Sequence, residues 1–260
     1  MYEFLLFEKD DNGTGTLTIN KERSMNTLSL ETLTELNSFT ANELVNSGLK
    51  ALIVTGAGSK AFVAGADIRR MKEMSRDEFE NYCRLGHDTF NALQDSPFPV
   101  IAAVNGYALG GGCELAVACD MRIASETAKI GFPETKLGLF PCWGGSQRVT
   151  RLMGLGRAKE LIFTGEMISA ENAMQIGLVD KVVPKDELMD EANRIAGLIA
   201  RNSPLAVSFA KNVINRGSEM ELPEALTFEL ENGLECFDSE DRLEGMTAFL
   251  EKRTAEFKGN

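Results

Sequence analysis

Residues 105–120 read NGYALGGGCELAVACD. They follow PVIAAV (99–104), whose nearly continuous apolar run predicts a strand buried on both faces. Three glycines at 110–112 then interrupt the chain, and Leu115–Ala118 resume an apolar run that predicts a helix starting near Gly112. A buried strand running through a glycine turn into a helix is the unit of an α/β fold. The glycines cost backbone entropy, so something must require them. Orphan N–H groups at a helix start favour negative charge, and a missing Cβ lets a ligand oxygen approach the backbone. Close packing of strand against helix accounts for the same glycines, and this stretch alone leaves both readings open.

A second junction of the same kind lies upstream. LKALIVTG (49–56) is a buried strand, AGSKAFVAGAD (57–67) a loop, and ADIRRMKEM (66–74) a short helix. Two strand-to-helix junctions that each offer a backbone N–H can hold one oxygen between them, the design of an oxyanion hole. Each such donor is worth on the order of 3 kcal/mol to a transition state. Elsewhere, YEFLLFEK and GTLTIN flank DDNG as a hairpin. Residues 28–48 form a helix capped by Ser29, with Leu30, Leu33, Leu36 and Leu44 on one stripe and Gly48 able to end it. Ser75 and Glu78 make a capping box for a helix over 76–94, which Pro97 and Pro99 stop. DMRIASETAKIGFPE (120–134) reads as two short strands around a turn. Three short helices follow, in 144–154, 156–165 and 169–177, and LVDKVVP holds the last strand. After Lys185 the pattern is all helix: 186–201, 204–216, 223–236 and 240–257. The expected architecture is an α/β core over residues 1–200 with a helical region over 201–260.

Composition narrows the function. The chain has 260 residues, enough for one large domain or a main domain with an appendage. A net charge of −12 argues against nucleic acid as a partner, so an anionic ligand needs local basic groups and backbone N–H donors. The five cysteines include no CxxC pair, which suggests neither a disulfide framework nor a zinc site; reduced thiols in the cytoplasm are expected. No run is long and apolar enough to span a membrane, and the start of the chain does not read as a signal peptide. No cluster has metal-ligand spacing.

Two carboxylates stand in apolar surroundings: Glu114, beside Cys113 and Leu115, and Glu134, after IGFP. Burial raises a carboxyl pKa into the range of a general acid or base, and a pair of such groups can do acid and base work on one substrate. With 39 acids in the chain, two solvated side chains explain the same pattern. His87 is the only histidine and no GxSxG is present, which argues against a Ser–His–Asp triad, and His87 reads as a surface or interface residue. Cys142 beside Trp143 reads as a pocket wall before it reads as a nucleophile.

Taken together, these stretches resemble the crotonase family, the enoyl-CoA hydratase/isomerase superfamily. The likeness runs along the whole chain, through TINKERSMNTLS, ALIVTGAGSKAFVAGADIRRM, PVIAAVNGYALGGGCELAVACDMRIAS, AKIGFPETKLGLFP, GGSQRVTRLMG, LIFTGEMISAENAMQIGLVDKVV and GMTAFLEKR. The resemblance implies a spiral of β-β-α turns with a helical C-terminal region for assembly into a homotrimer or homohexamer. It implies an acyl-CoA substrate, with coenzyme A as part of the substrate and no separate cofactor or metal. It places the oxyanion hole at the N–H groups of Ala66 and Gly111. It places coenzyme A against Arg23, Met25, Ala64, Asp67 and Ile68. Glu114 and Glu134 match the acids of the family's hydratases, which implies hydration of a 2-trans-enoyl-CoA to a 3-hydroxyacyl-CoA, or the reverse. A double-bond isomerase or another acyl-CoA lyase of this fold is the alternative. A non-catalytic, RNA-binding relative fits the acidic charge and the intact acid pair less well.

One departure stands out. Family hydratases read PGxGGTQ after the second acid, whereas this chain reads PCWGGSQ (141–147). Either Cys142 and Trp143 reshape the acyl pocket toward a short or unusual acyl group, or Trp143 faces away and fills space.

Overall fold

The computed structural model describes residues 2–46 and 48–260. Strands β1 (Leu5–Lys9) and β2 (Thr14–Ile19) form the antiparallel hairpin expected around Asp10–Gly13. Helix α1 (Leu30–Asn46) begins at Ser29, whose hydroxyl accepts the Thr32 N–H. Its Leu33, Leu36 and Leu44 are buried, while Leu30 is exposed. Gly48 has a left-handed backbone that suits a helix end, and Ser47 lies outside the described residues.

Strand β3 (Ala51–Gly56) is buried at every position, as its unbroken apolar run requires. Strand β4 (Ala61–Val63) lies inside the segment expected to be a loop. Helix α2 (Ile68–Met71) is capped by Asp67, and α3 (Arg76–Gln94) starts on the Ser75–Glu78 capping box. Strands β5 (Val100–Val104) and β6 (Tyr107–Leu109) lead into α4 (Gly111–Ala118). Strands β7 (Met121–Ser125) and β8 (Lys129–Gly131) follow. A 3-10 turn (Pro133–Leu137) comes next, then α5 (Gly145–Met153), α6 (Leu155–Thr164), β9 (Met167–Ser169), α7 (Ala170–Gln175) and β10 (Lys181–Val183). Helices α8 (Leu188–Ala200), α9 (Pro204–Gly217), α10 (Leu222–Phe237) and α11 (Glu240–Glu251) complete the chain.

The strands divide between two sheets. Six lie in the order β1-β2-β3-β5-β7-β10, parallel apart from β1, and four lie in the order β4-β6-β8-β9. After the β1-β2 hairpin, the consecutive pairs β3-β4, β5-β6 and β7-β8 each place one strand in each sheet. The two short strands around a turn read in 120–134 are β7 and β8, which are consecutive in the chain but belong to different sheets. The main core lies among α1, α3, α4 and the strands. A second cluster forms where Leu188, Ala192 and Ala196 of α8 cover Ile53, Ile101 and Ile123.

The last helix is shorter than its sequence pattern. It ends at Glu251, with Lys252 left-handed, and residues 254–260 run back without helix. Asp241, buried on α11, accepts the Lys258 and Gly259 N–H groups at 2.7 and 3.1 Å, and the Ser203 hydroxyl at 2.7 Å. Those bonds fix the tail and supplant the last helical turns.

Candidate active site

The two strand-to-helix junctions meet because β4 and β6 are parallel neighbours, Ala61 opposite Tyr107 and Val63 opposite Ala108. Each strand then delivers its own turn to the same edge of the four-stranded sheet. The glycines of 110–112 divide the two roles that the sequence left open. A Cβ on Gly112 would overlap the Val63 carbonyl, so that glycine serves the close approach of α4 to β4. Gly111 is the first helical residue, and its N–H is an orphan of the helix start. Among the described residues neither the Gly111 N–H nor the Ala66 N–H has a hydrogen-bond acceptor. Both residues line one pocket of about 110 Å³.

Glu114 lies one helical turn after Gly110, its own N–H bonded to the Gly110 carbonyl at 2.9 Å. Its side chain is only 3% exposed. One carboxyl oxygen, Oε1, accepts the Trp143 N–H at 2.7 Å and the Gly145 N–H at 2.8 Å. Burial pushes its pKa up to about 7, helped by the Glu134 charge; the two N–H bonds and Arg148 pull the other way. Glu134 comes from the 3-10 turn after β8. That turn is held in place by the Gly110 N–H on the Gly131 carbonyl and by Thr135 on the Ile162 carbonyl, each at 2.9 Å. Burial again raises the carboxyl to about 7. Its Oε2 is buried with no hydrogen-bond partner among the described residues. Both carboxyls face the pocket that holds the two free N–H groups.

Trp143 faces inward. Its indole is buried and meets Tyr82 edge-on at 4.9 Å between ring centroids and Phe90 at 5.9 Å. It fills a slot between α3 and α4 that exists because Gly86 and Gly111 lack side chains; a Cβ on either would overlap the ring. Tyr82, which also lines the pocket, is anchored by its hydroxyl on the Leu28 carbonyl. Cys142 lines the same pocket, as do Ala64 and Ile68. Asp67 is engaged as the α2 cap, accepting the Arg69 and Arg70 N–H groups. Met25 sits in a left-handed turn, and its carbonyl accepts the Ala64 N–H at 3.0 Å. Arg23 is exposed near that turn, outside the pocket lining. His87 is exposed on α3, as expected.

Two organising residues went unread in the sequence. Asn26 is fully buried; its amide donates to the Ala57 and Ala61 carbonyls at 2.9 and 2.8 Å and accepts the Lys21 N–H, tying the Met25 turn to β4. Arg148 donates to Gln94, Asn91 and the Trp143 carbonyl, which steadies the loop that binds Glu114. No local pattern marks Asn26, because its partners Ala57 and Ala61 lie more than thirty residues away in the chain.

Residues 9–260 match the enoyl-CoA hydratase/isomerase family. This chain belongs to that family. Among its relatives in the enoyl-CoA hydratase/isomerase family, the short-chain-enoyl-CoA hydratase of Clostridium acetobutylicum is 49% identical, over 97% of this chain and 96% of that one. The crotonyl-CoA hydratase of Syntrophomonas wolfei is 44% identical, over 98% of each. A crystal structure of enoyl-CoA hydratase from Bacillus anthracis superposes with a TM-score of 0.96 at 42% identity, covering 99% of this chain and all of that one. The crotonase fold expected from the sequence is therefore the fold of this family member.

Proposed function

We propose that this protein adds water across the double bond of a short 2-trans-enoyl-CoA, giving the 3-hydroxyacyl-CoA, and catalyses the reverse dehydration. One observation carries the reading: two carboxyls with pKa values raised to about 7 share a pocket with two N–H groups that lack acceptors. The Ala66 and Gly111 N–H groups bind the thioester oxygen and stabilise the enolate that forms on it, which makes C3 electrophilic. Glu114, with Oε1 fixed by two backbone donors, orients the attacking water through its other oxygen. Glu134, whose Oε2 is unpartnered, takes the water's proton as oxygen bonds to C3 and supplies a proton to C2. The thioester provides the activation, so coenzyme A enters as part of the substrate and no separate cofactor is used. Arg23, Met25, Ala64, Asp67 and Ile68 receive the coenzyme A portion at the pocket mouth. The inward indole of Trp143, with Cys142 beside it, shortens the pocket and favours short acyl chains. Residues 201–260 serve assembly with further copies of the chain.

The test is loss of the conjugated enoyl-thioester absorbance with crotonyl-CoA and with longer enoyl-CoAs. Crotonyl-CoA is expected to be turned over fastest, and Glu114→Gln and Glu134→Gln each to lose on the order of 10²-fold or more. Full activity in both variants overturns the two-carboxyl mechanism. Equal turnover of long chains overturns the short pocket.

A further inference from the structure

Of the five cysteines, Cys113 and Cys119 are buried, and Cys236 sits on α10. Cys83, on α3, and Cys142, on the loop before α5, both line the active-site pocket, and both are half-buried rather than sealed. Each thiol perturbs the ionisation of the other, so the two sulfurs lie close together on one wall of the pocket. The family loop pattern carries glycine where this chain has Cys142, so this departure supplies the second thiol. The proposed hydration uses neither sulfur.

We infer that Cys83 and Cys142 form a two-sulfur site for a trivalent organoarsenical, a soft electrophile that bonds both thiols at once and blocks the pocket when bound.

The donor count favours this class over a metal ion. Zinc takes three or four protein ligands, and the described residues contain no group of three or more His, Cys, Asp or Glu able to hold a metal. Trivalent arsenic that already carries a carbon substituent needs only two sulfurs, and soft centres prefer sulfur. The step balances with the thiols protonated. Phenylarsine oxide gives up its oxygen as water, taking one proton from each thiol, and two As–S bonds replace the As–O linkage without any change of oxidation state. Protonated thiols are what the site offers: burial pushes Cys83 up to about 12, and burial and the Glu114 charge push Cys142 up as well. A reagent that attacks single thiolates, such as iodoacetamide, therefore reacts slowly here at neutral pH.

The experiment reads mass, so it does not depend on the proposed hydration. Native protein without substrate is incubated with phenylarsine oxide and its intact mass is measured. The adduct is then localised by unfolding and alkylating the remaining thiols. The expected result is one phenylarsenic group per chain with two hydrogens lost, reversal by a small dithiol, and protection of Cys83 and Cys142 together. Cys83→Ser and Cys142→Ser should each abolish the adduct. No adduct on the native protein, protection of other cysteines, or an adduct that survives in either variant overturns the assignment. If the adduct forms on this pair in a protein that never turns over crotonyl-CoA, the site stands and the hydratase reading falls.

Discussion

Glu114 pays for its position in stability. Its carboxyl, raised from 4.5 to about 7 by burial, is harder to ionise in the folded chain than in the unfolded one. The folded state therefore binds the extra proton between those values, and its stability falls as pH rises through that window. Well below pH 4.5 both states are protonated and the penalty is absent; well above pH 7 it is complete, on the order of 3 kcal/mol. Glu114→Gln keeps an oxygen acceptor for the Trp143 and Gly145 N–H groups without the charge. Thermal melts should show this variant more stable than the parent at about pH 8, and close to it at about pH 4.5. An equal shift at both values would mean that the substitution acts through packing. The two acids were visible in the sequence as carboxylates among apolar neighbours. The donors that hold Glu114 were not, because Trp143 and Gly145 meet it only once α4 and α5 are packed. The same is true of the Trp143 slot: nothing local joins Gly86 of one helix to an indole that follows a different strand.

Two glycines with opposite surroundings test how the elements position the site. Gly112 lies where α4 touches the Val63 carbonyl, so Gly112→Ala must push the helix off β4 and carry the Gly111 N–H away from Ala66. Gly197 sits inside α8, where a methyl group would meet nothing within 4 Å, so Gly197→Ala removes only unfolded-chain freedom. The first should lower the melting temperature and abolish crotonyl-CoA turnover; the second should gain about 0.5–1 kcal/mol in denaturant melts and leave turnover unchanged. A Gly112→Ala protein with full activity would show that the two junctions need no fixed spacing. Elements with local signals were legible in the sequence. The α3 capping box, the Ser29 cap, the hairpin turn and the long apolar runs of β3 and β5 each declare themselves within a few residues. Strands β4, β6 and β9 have three residues each, too few for an alternating pattern to register, and their identity rests on pairing within one sheet. The end of α11 departs from its sequence pattern for a related reason. Residues 252–257 carry helical propensity, but the bonds from Lys258 and Gly259 to Asp241 take the chain elsewhere.

At the scale of the molecule, the helical C-terminal region is fixed to the core on one side and bare on the other. Lys211 of α9 is buried and reaches Asp120 at 2.8 Å, the Phe98 carbonyl at 2.9 Å and Ser96 at 3.0 Å, close to the end of α4. Helix α10 packs on α9 through Asn232 and Asn212, at 3.2 Å. Along α10, Leu222, Leu226, Leu230 and Leu234 recur every four residues, and all are more than half exposed; Phe249 and Leu250 of α11 are about 80% exposed. A lone soluble chain rarely leaves so much contiguous apolar surface in water. Burying one leucine fully is worth about 1.5–3 kcal/mol, so a few of them repeated in each copy can offset the cost of association. A second copy of this chain is the occupant that the proposed assembly calls for. Sedimentation should therefore give a mass several times that of one chain, and Leu230→Glu with Leu234→Glu should move it toward one chain. The Lys211 anchor lies away from the stripe, so far-ultraviolet circular dichroism of the double variant should stay that of the parent. A parent protein that sediments as a single chain across the micromolar range would mean that the stripe has another use.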